Sequence, residues 1–345
     1  MTTASTLKNF QDKWLTLRAR YLWLRWLEKW GVSIVSLVLG VFTLVVFRKG
    51  MEYFPVYVGY LLLIWLAGVA LAQLRISLAS RGPKLIAQVV DYTVQTLIHG
   101  LLLFLLPIYY ASTTIMSRNV WFLVLLAGAA LITTIDPWYR RAVIRFRWPE
   151  VPLIGLGLFA SLNVALPLIQ VPSPWAFLLS GLISILALGP VFRRGPEASW
   201  SSALLRAVFW GIAFALLLWP LRQWIPPVPL HLTRATFARS VVQLEPVQPV
   251  TTVSADELQS WGGVVAFSAI AAPAGLREPI YHLWRRDGVV VEKIALSPIR
   301  GGLAAGFRTY SRKTDLGKDP VGLWTVDVLT VTDQLLGRIR LDVTR

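Results

Sequence analysis

Four polar side chains recur at helical spacing within one long apolar stretch of the sequence. They are Gln88, Asp91, Gln95 and His99, and spacings of three, four and four place them on one face of a helix. A charged residue near a bilayer centre costs about 2.5 to 3.5 kcal/mol, so such residues usually face a bundle interior and often mark an ion or proton path. The stripe therefore has two interpretations: hydrogen bonds that pack helices together, or a functional relay or ligand pocket.

A second candidate lies near the C-terminus, where aromatic and basic residues alternate. Strand alternation puts His282 and Trp284 on one face of one segment, and it sets Arg308 and Tyr310 together in another. Aromatic rings beside guanidinium groups suit a glycan or an anionic polymer, through stacking and charge-assisted hydrogen bonds. One face of each strand must also pack a core. The four residues are therefore interpreted either as a binding surface or as core packing.

Catalytic and metal-binding motifs are missing from the sequence. It contains no cysteine and three histidines, His99, His231 and His282. No two of these histidines lie at helical spacing from each other with a carboxylate nearby. A zinc ion ordinarily takes three or four such ligands. The nucleophile elbow, the phosphate-binding loop and the dinucleotide fingerprint are also absent from the sequence. We therefore predict a protein that is not an enzyme and that has neither a metal nor another cofactor.

Long apolar stretches must position these candidate residues. The sequence is 55% hydrophobic, and a helix of roughly 17 to 25 residues crosses a bilayer. Seven stretches are long enough, and they cover residues 31–47, 54–74, 85–109, 119–135, 151–171, 175–192 and 203–221. The sequence therefore predicts an α-helical transmembrane bundle of about seven spans.

Basic residues are distributed very unevenly between these stretches. The N-terminal arm and every second loop after it carry fifteen Lys and Arg, and Arg206 lies just inside the seventh stretch. The alternate segments hold only Arg48, Lys49 and Arg118. Basic loops stay on the cytoplasmic side of a membrane. We therefore predict a cytoplasmic N-terminus and, after seven crossings, an extracytoplasmic C-terminal part. The net charge of +16 is largely explained by this topology, so no nucleic-acid partner is expected.

The same patterns divide the chain into four segments. Residues 1–29 are predicted as an amphipathic helix on the cytoplasmic membrane surface, with docking of a cytoplasmic partner as the alternative. Residues 30–221 form the seven-helix transmembrane domain, and residues 222–233 form a Pro-rich linker. Residues 234–345 form an all-β domain outside the cytoplasm.

The pattern of the last segment predicts short strands separated by turns. Strands are predicted over residues 235–244, 264–271, 280–286, 289–296, 304–311, 323–330 and 336–343. About seven short strands of this kind are typical of an antiparallel β-sandwich, so we predict an immunoglobulin-like fold.

Several features of this β-rich part form a pattern seen elsewhere. They are His282 with Trp284, the Gly301-Gly302 pair, the runs 307–313 and 322–328, and Gly337 before the final strand. With these features, residues 278–343 resemble the bacterial family catalogued as domain of unknown function 2914, in which Trp is more common at the position of Phe307. The helical part is similar to the membrane region that accompanies this domain in proteobacterial proteins. The resemblance implies an envelope location and a β-rich module, but it implies no activity.

Topology and the absence of a catalytic set together indicate a binding protein. We expect a multi-pass protein of the bacterial inner (cytoplasmic) membrane, in a Gram-negative cell, whose periplasmic β-domain binds an envelope glycan or protein. Membrane lipids are the other expected partners. The alternative is a small transporter or proton-linked channel that uses Asp91 and His99. A third interpretation, a lipid-modifying enzyme, requires Asp91, Asp136 and His99 to face one pocket.

The predicted orientation is testable with a reporter fused to the C-terminus. Alkaline phosphatase needs disulfides that form in the periplasm, so we expect the fusion to be active there. The measurement is phosphatase activity in intact cells, normalised to the amount of fusion protein. An inactive phosphatase fusion beside a fluorescent C-terminal green fluorescent protein fusion would overturn the predicted topology.

Overall fold

A computed structural model describes residues 84–139, 149–192, 199–303, 305–317 and 319–345, with side chains from residue 93 onward except at residues 136, 137, 190 and 191. The predicted amphipathic helix, residues 1–29, and the first two predicted spans, residues 31–47 and 54–74, lie outside the described residues. The side chains of Gln88 and Asp91 lie outside them as well. The structure therefore bears on the last five predicted spans and on the β-rich part.

Five apolar helices occupy the positions of the last five predicted spans. They are α1 (Lys84–Ala111), α2 (Val120–Thr134), α3 (Glu150–Leu168), α4 (Ser173–Ala187) and α5 (Trp200–Leu221). Among the described helices, α1, α3 and α5 are long and apolar enough to cross a membrane. The other two, α2 and α4, have 15 residues each, which is shorter than a usual span. The described residues thus contain three helices of spanning length, where five of the seven spans were predicted.

The shortness of α4 has a local cause at each end. Pro172 precedes the helix, and after Ala187 the chain tightens into a 3₁₀ turn, Gly189–Phe192. Pro190 lies within that turn, and a proline disfavours helical geometry at the residue before it. The predicted sixth span, residues 175–192, therefore ends its α-helix early.

A column of aromatic rings holds the first four helices together. Phe122 of α2 lies 5.1 Å from Tyr109 of α1 and 6.0 Å from Phe159 of α3, measured between ring centroids. Phe159 then meets Phe177 of α4 edge-on at 5.7 Å. The Tyr109 hydroxyl donates a hydrogen bond to the carbonyl oxygen of Ala160 at 3.1 Å. Edge-to-face rings gain about 0.5 to 1.5 kcal/mol beyond area burial, so this column is a main element of the helical core.

The part after α5 consists mostly of β-strands, with one short helix, α6 (Ala255–Ser260). The strands are β1 (His231–Val242), β2 (Glu245–Val250), β3 (Thr252–Ser254), β4 (Val264–Ala271), β5 (Arg277–Glu278), β6 (Ile280–Arg286), β7 (Val289–Ala295), β8 (Ile299–Arg300), β9 (Phe307–Lys313), β10 (Gly322–Thr330) and β11 (Leu335–Thr344). The seven predicted strands correspond to β1, β4, β6, β7, β9, β10 and β11. The strands β2, β3, β5 and β8 were not predicted.

These strands form two sheets and a separate ribbon. The first sheet has the order β2-β1-β4-β9, the second has the order β3-β11-β10-β6-β7, and β5 pairs with β8. All pairs are antiparallel except β3 with β11, which is parallel. The prediction of a purely antiparallel module is corrected to a mixed one, because β3 returns along the edge of β11 after the β2 strand.

Both sheets contribute side chains to one hydrophobic core. Phe237 of the first sheet meets Trp284 of the second at 5.6 Å, and Trp284 meets Trp324 at 6.5 Å, again edge-on. All three rings are buried. The two sheets therefore pack face to face around these rings.

The turn between β10 and β11 contacts the loop that joins α1 to α2. The Thr114 hydroxyl donates to the carbonyl oxygen of Leu336 at 3.2 Å, and the Asn119 amide donates to that of Leu335 at 3.0 Å. Two carbonyl groups at the start of β11 are thus satisfied by side chains of the helical part.

The same turn also binds the segment that follows α5. The Arg222 guanidinium donates to the carbonyl oxygen of Thr332 at 2.8 Å, and the Gln334 amide donates to that of Ile225 at 2.9 Å. Ile225 and Val228, within the predicted linker, are buried against the helical core. We call these contacts, with those of Thr114 and Asn119, the helix–β seam. Because α1 and α5 end at the seam and α2 begins there, the β-module lies at one end of the bundle.

Candidate functional site

The two described members of the polar stripe face α2. The Gln95 amide donates to the carbonyl oxygen of Thr133 at 3.0 Å, and His99 Nδ1 lies 3.1 Å from the Thr134 hydroxyl. Both side chains are buried, and His99 Nε2 has no hydrogen-bond partner among the described residues. These contacts support helix packing at the α1–α2 interface. In the described part of the chain, no three His, Asp or Glu side chains are grouped so that they could hold a metal ion.

The structure does not bring the predicted binding residues together on one surface. His282 and Trp284 on β6 are 0% exposed and point into the core between the two sheets. Arg308 and Tyr310 on β9 point to the outside, and Tyr310 is 44% exposed. This placement corrects the predicted surface. The alternation along each strand was predicted as observed, but the core covers the face of β6 that carries His282.

The buried histidine belongs to a closed polar network. His282 Nδ1 lies 2.8 Å from the Ser311 hydroxyl, and Nε2 lies 3.0 Å from the Ser268 hydroxyl. The Trp284 indole donates to the same Ser311 oxygen at 3.0 Å. Indole can only donate, so the Ser311 oxygen accepts from Trp284 and its own proton is available for Nδ1; with Nδ1 as the acceptor, the neutral imidazole donates from Nε2 to Ser268. Each group has its partner, so the network stabilises the core.

Burial also makes this histidine unsuited to acid–base chemistry. Loss of hydration lowers the pKa of His282 to about 3, because the charged imidazolium is disfavoured inside the core. A neutral imidazole of that pKa is a weak base near pH 7, where a general base works best with a pKa close to the pH. The proximity of serine and histidine here therefore does not form a catalytic pair.

A cleft runs between one edge of each of the two sheets. It has a volume of about 920 Å³ and is lined mainly by apolar side chains, among them Leu244, Ile294, Ala295, Leu303, Phe307 and Tyr310. Its walls are β7, at the end of the second sheet, and β9, at the end of the first. An ion pair between Lys313 and Glu292 joins the two walls. We call this feature the β7–β9 cleft.

Within the described residues, no strand pairs with the outer edge of β7 or of β9. The backbone groups along these edges are therefore free for another chain. Three consecutive valines of β7, Val289, Val290 and Val291, are exposed beside the cleft, at 70%, 51% and 44%. An exposed apolar edge is unusual, because natural sheets normally blunt their edges with charge, proline or bulges.

Arg308 lies in the wall of the cleft, but its charge is already matched. Its guanidinium pairs with Glu245 Oε1 at 2.7 Å, and the other oxygen of Glu245 pairs with Arg234 at 3.2 Å. Tyr310 is therefore the one member of the predicted set that presents an uncommitted side chain to the cleft.

Sequence reasoning missed most of this site. Leu244 and Leu303 belong to turns, and Ile294 belongs to a strand whose run of valines reads as a buried core strand. The available signal was the pair Glu292 and Lys293 inside that run, since charges on a strand are typical of an edge. Which two strands end a sheet depends on pairing between distant segments, and that pairing is not written in any local pattern.

Two family models match the chain. Residues 6–265 match a model described as "Family of unknown function (DUF5924)", and residues 277–343 match one described as "Protein of unknown function (DUF2914)". The second match confirms the resemblance inferred from the sequence. The first extends past the helices through β1, β2 and β3, so its boundary lies inside the β-module. No curated protein and no solved structure matches the chain.

The buried His282 predicts a specific loss of stability in acid. In the unfolded chain a histidine has a pKa near 6.5, so between about pH 6.5 and pH 3 only the unfolded state binds this proton. We expect its contribution to be fully present above about pH 6.5, and to fall by about 1.4 kcal/mol per pH unit below it. The measurement is urea unfolding of the full-length protein in detergent, followed by near-ultraviolet circular dichroism.

The matched variant for this experiment is His282→Gln, which keeps a polar side chain but does not titrate. The difference in unfolding free energy between wild type and variant should shrink as the pH falls from 6.5 to 4. Two curves that stay parallel over this range would show that His282 remains hydrated or charged in the folded protein.

Proposed function

Since the chain belongs to the family of unknown function (DUF5924) that its residues 6–265 match, we propose a function from its geometry: a membrane-anchored binding protein. A bundle of about seven helices in a bacterial inner membrane holds an immunoglobulin-like β-sandwich in the periplasm. The β7–β9 cleft of that sandwich binds an extended polypeptide of the envelope. The observation that carries the proposal is the cleft between two sheet edges that have no strand partner among the described residues.

The helix–β seam supports the proposed orientation. It involves the loop between α1 and α2 and the segment after α5, and the loop of residues 112–119 contains a single basic residue, Arg118. The connections at the other ends of these helices carry Arg140, Arg141, Arg145 and Arg147 between α2 and α3, and Arg193 and Arg194 between α4 and α5. Basic loops remain in the cytoplasm, which favours a periplasmic seam.

The free strand edges favour a polypeptide as the occupant. An extended chain that adds to an exposed edge gains main-chain hydrogen bonds, and pockets for alternate side chains give specificity. The cleft provides such a pocket, with Ile294 and Phe307 on its two walls, and three exposed valines lie farther along β7. An occupant strand would cover both.

A glycan has less support than a polypeptide at this position. Glycan binding by stacking needs exposed aromatic faces. Trp284 is buried in the core, so Tyr310 is the only exposed ring of the two predicted for the surface. Anionic sugars need an unmatched guanidinium, and Arg308 is paired with Glu245. A polypeptide that pairs with a strand edge and makes apolar contacts is therefore a better-supported partner than a glycan bound by arginine and aromatic side chains.

Site-specific photocrosslinking tests the cleft directly. A photoreactive phenylalanine analogue at Leu303, which is exposed in the cleft, should crosslink to a polypeptide in living cells, and the same analogue at Leu323, an exposed residue of β10, should not. The adduct is identified by mass spectrometry, which distinguishes a peptide from a carbohydrate.

A blocking variant provides the matched control for this experiment. Ala295→Trp places a large ring in the cleft, so we expect the crosslink from position 303 to be reduced roughly tenfold or more. Leu323→Trp, at an exposed residue of β10, should leave it unchanged. Equal crosslinking from positions 303 and 323, or a carbohydrate adduct, would contradict polypeptide binding in the cleft.

The alternative function is a proton-linked channel, and one observation favours it. His99 is buried between α1 and α2 with Nε2 unpartnered among the described residues, so this nitrogen is free for a proton or a ligand. In the same interface, Gln95 hydrogen-bonds the carbonyl group of Thr133 and the Thr134 hydroxyl hydrogen-bonds His99. Ionisable residues inside a membrane often serve proton relays.

Proton flux in proteoliposomes separates the two functions. For the binding protein we expect a flux no higher than that of empty liposomes when a pH gradient is applied, read with an internal pH-sensitive dye. A larger flux, abolished by Asp91→Asn with His99→Gln but preserved in the cleft variant Ala295→Trp, would establish the channel and remove our main proposal.

A further inference from the structure

Two arginines lie directly opposite each other on the β5–β8 ribbon. The register pairs Arg277 with Arg300, and both side chains are exposed. Directly opposite residues of an antiparallel pair share a face, with Cβ atoms about 4.5 to 5.5 Å apart. Like charges in this position destabilise a ribbon. The pair therefore has an electrostatic cost that an anion would remove.

Two arginines on the second sheet share one acidic partner. Arg285 and Arg338 both bind Asp327, the first at 3.2 Å, and their charges are balanced on the outer face of the second sheet. Within the described residues, neither Arg277 nor Arg300 makes a side-chain hydrogen bond or ion pair. The ribbon is thus a site where two adjacent positive charges are left without a counter-charge.

The backbone of the ribbon is held rigidly behind these two side chains. Ile299, on the opposite face, is fully buried, and Gly301 donates a backbone hydrogen bond to Leu276 at 3.0 Å. A Cβ atom at Gly301 would lie 1.6 Å from the carbonyl oxygen of Pro273, so no other residue fits this close approach. The spacing of the two arginines is therefore fixed by packing.

The ribbon also lies at the start of α4, one of the two shorter apolar helices. Glu278, next to Arg277, accepts a hydrogen bond at 2.8 Å from the hydroxyl of Ser173, the first residue of α4. Trp175, in the first turn of α4, is 63% exposed. Exposed tryptophans at helix ends settle at the level of lipid headgroups. The arginine pair is therefore within a few residues of the layer that contains lipid phosphates.

We propose that Arg277 and Arg300 together bind the phosphate of an anionic phospholipid headgroup. A guanidinium presents a planar fork of donors that matches phosphate oxygens in a bidentate way. Two forks on adjacent strands hold one phosphate between them and cancel their mutual repulsion. The bound lipid fastens the β-module to the membrane surface beside α4. This site is separate from the β7–β9 cleft and does not depend on what the cleft binds.

Lipid titration of the full-length protein tests the site. Native mass spectrometry in detergent measures the affinity for phosphatidylglycerol of wild type and of Arg277→Gln/Arg300→Gln. We expect the double variant to bind phosphatidylglycerol about 30-fold more weakly than wild type, because each basic residue near a lipid surface contributes about a fivefold increase in affinity. The control is Arg345→Gln, which follows β11 at the end away from the seam, and it should bind as wild type does.

Two further arms identify the source of the phosphate. Phosphatidylcholine, whose headgroup has no net charge, should bind equally weakly to wild type and double variant. Inorganic phosphate at millimolar concentration should not displace phosphatidylglycerol. Displacement by inorganic phosphate, or equal phosphatidylglycerol affinity in wild type and double variant, overturns the proposal.

Thermal unfolding without added lipid checks that the double variant is folded. Removing the like-charge pair should leave the melting temperature unchanged or raise it, because the repulsion across the ribbon is lost. If phosphatidylglycerol then raises the melting temperature of wild type but not of the double variant, the arginines bind the lipid. An equal rise in both would contradict it.

Discussion

The helix–β seam is the interaction on which the rest of the structure depends. Backbone carbonyl groups that leave water need a partner, and at the seam Asn119 and Gln334 provide it from opposite sides. Arg222 adds a third bond to Thr332. Donors come from the helical part as well as from the β-module. The β-module is therefore attached to the bundle by these hydrogen bonds and not by the chain connection alone. The seam brings the β-module to the end of the bundle, and it leaves the sheet edges available.

The core of the β-module lies between its two sheets, whereas the β7–β9 cleft lies at their edges. His282 and Trp284 lie inside, where two serines satisfy their polar atoms, so the core is both apolar and hydrogen-bonded. Buried polar networks that are fully satisfied favour one arrangement of neighbouring strands. The features proposed for recognition lie at the periphery: the cleft between sheet edges and the arginine pair on the β5–β8 ribbon.

The sequence predicted the elements of this fold better than their arrangement. Strands 264–271 and 280–286 have the bounds that alternation and turn signals indicate. The strand β2 was missed because Pro246 and Pro249 argue against a strand, although both are tolerated at a sheet edge, where β2 lies. Which face of β6 points into the core was not predicted. Alternation separates the two faces of a strand, but only contact with the first sheet decides which of them is buried. The same reason hid the cleft: a strand becomes an edge through long-range pairing.

The most direct test of the account is whether the β-module contacts the bundle end at the seam in the membrane. The sequence has no cysteine, so Met116→Cys with Arg340→Cys gives a unique thiol pair, and these residues touch across the seam at 3.9 Å. A short bifunctional thiol reagent added to intact cells should link the two positions. Met116→Cys with Arg312→Cys, at the far end of β9, should remain unlinked. Linkage of the second pair, or of neither, would contradict the arrangement from which the cleft and the lipid site were inferred.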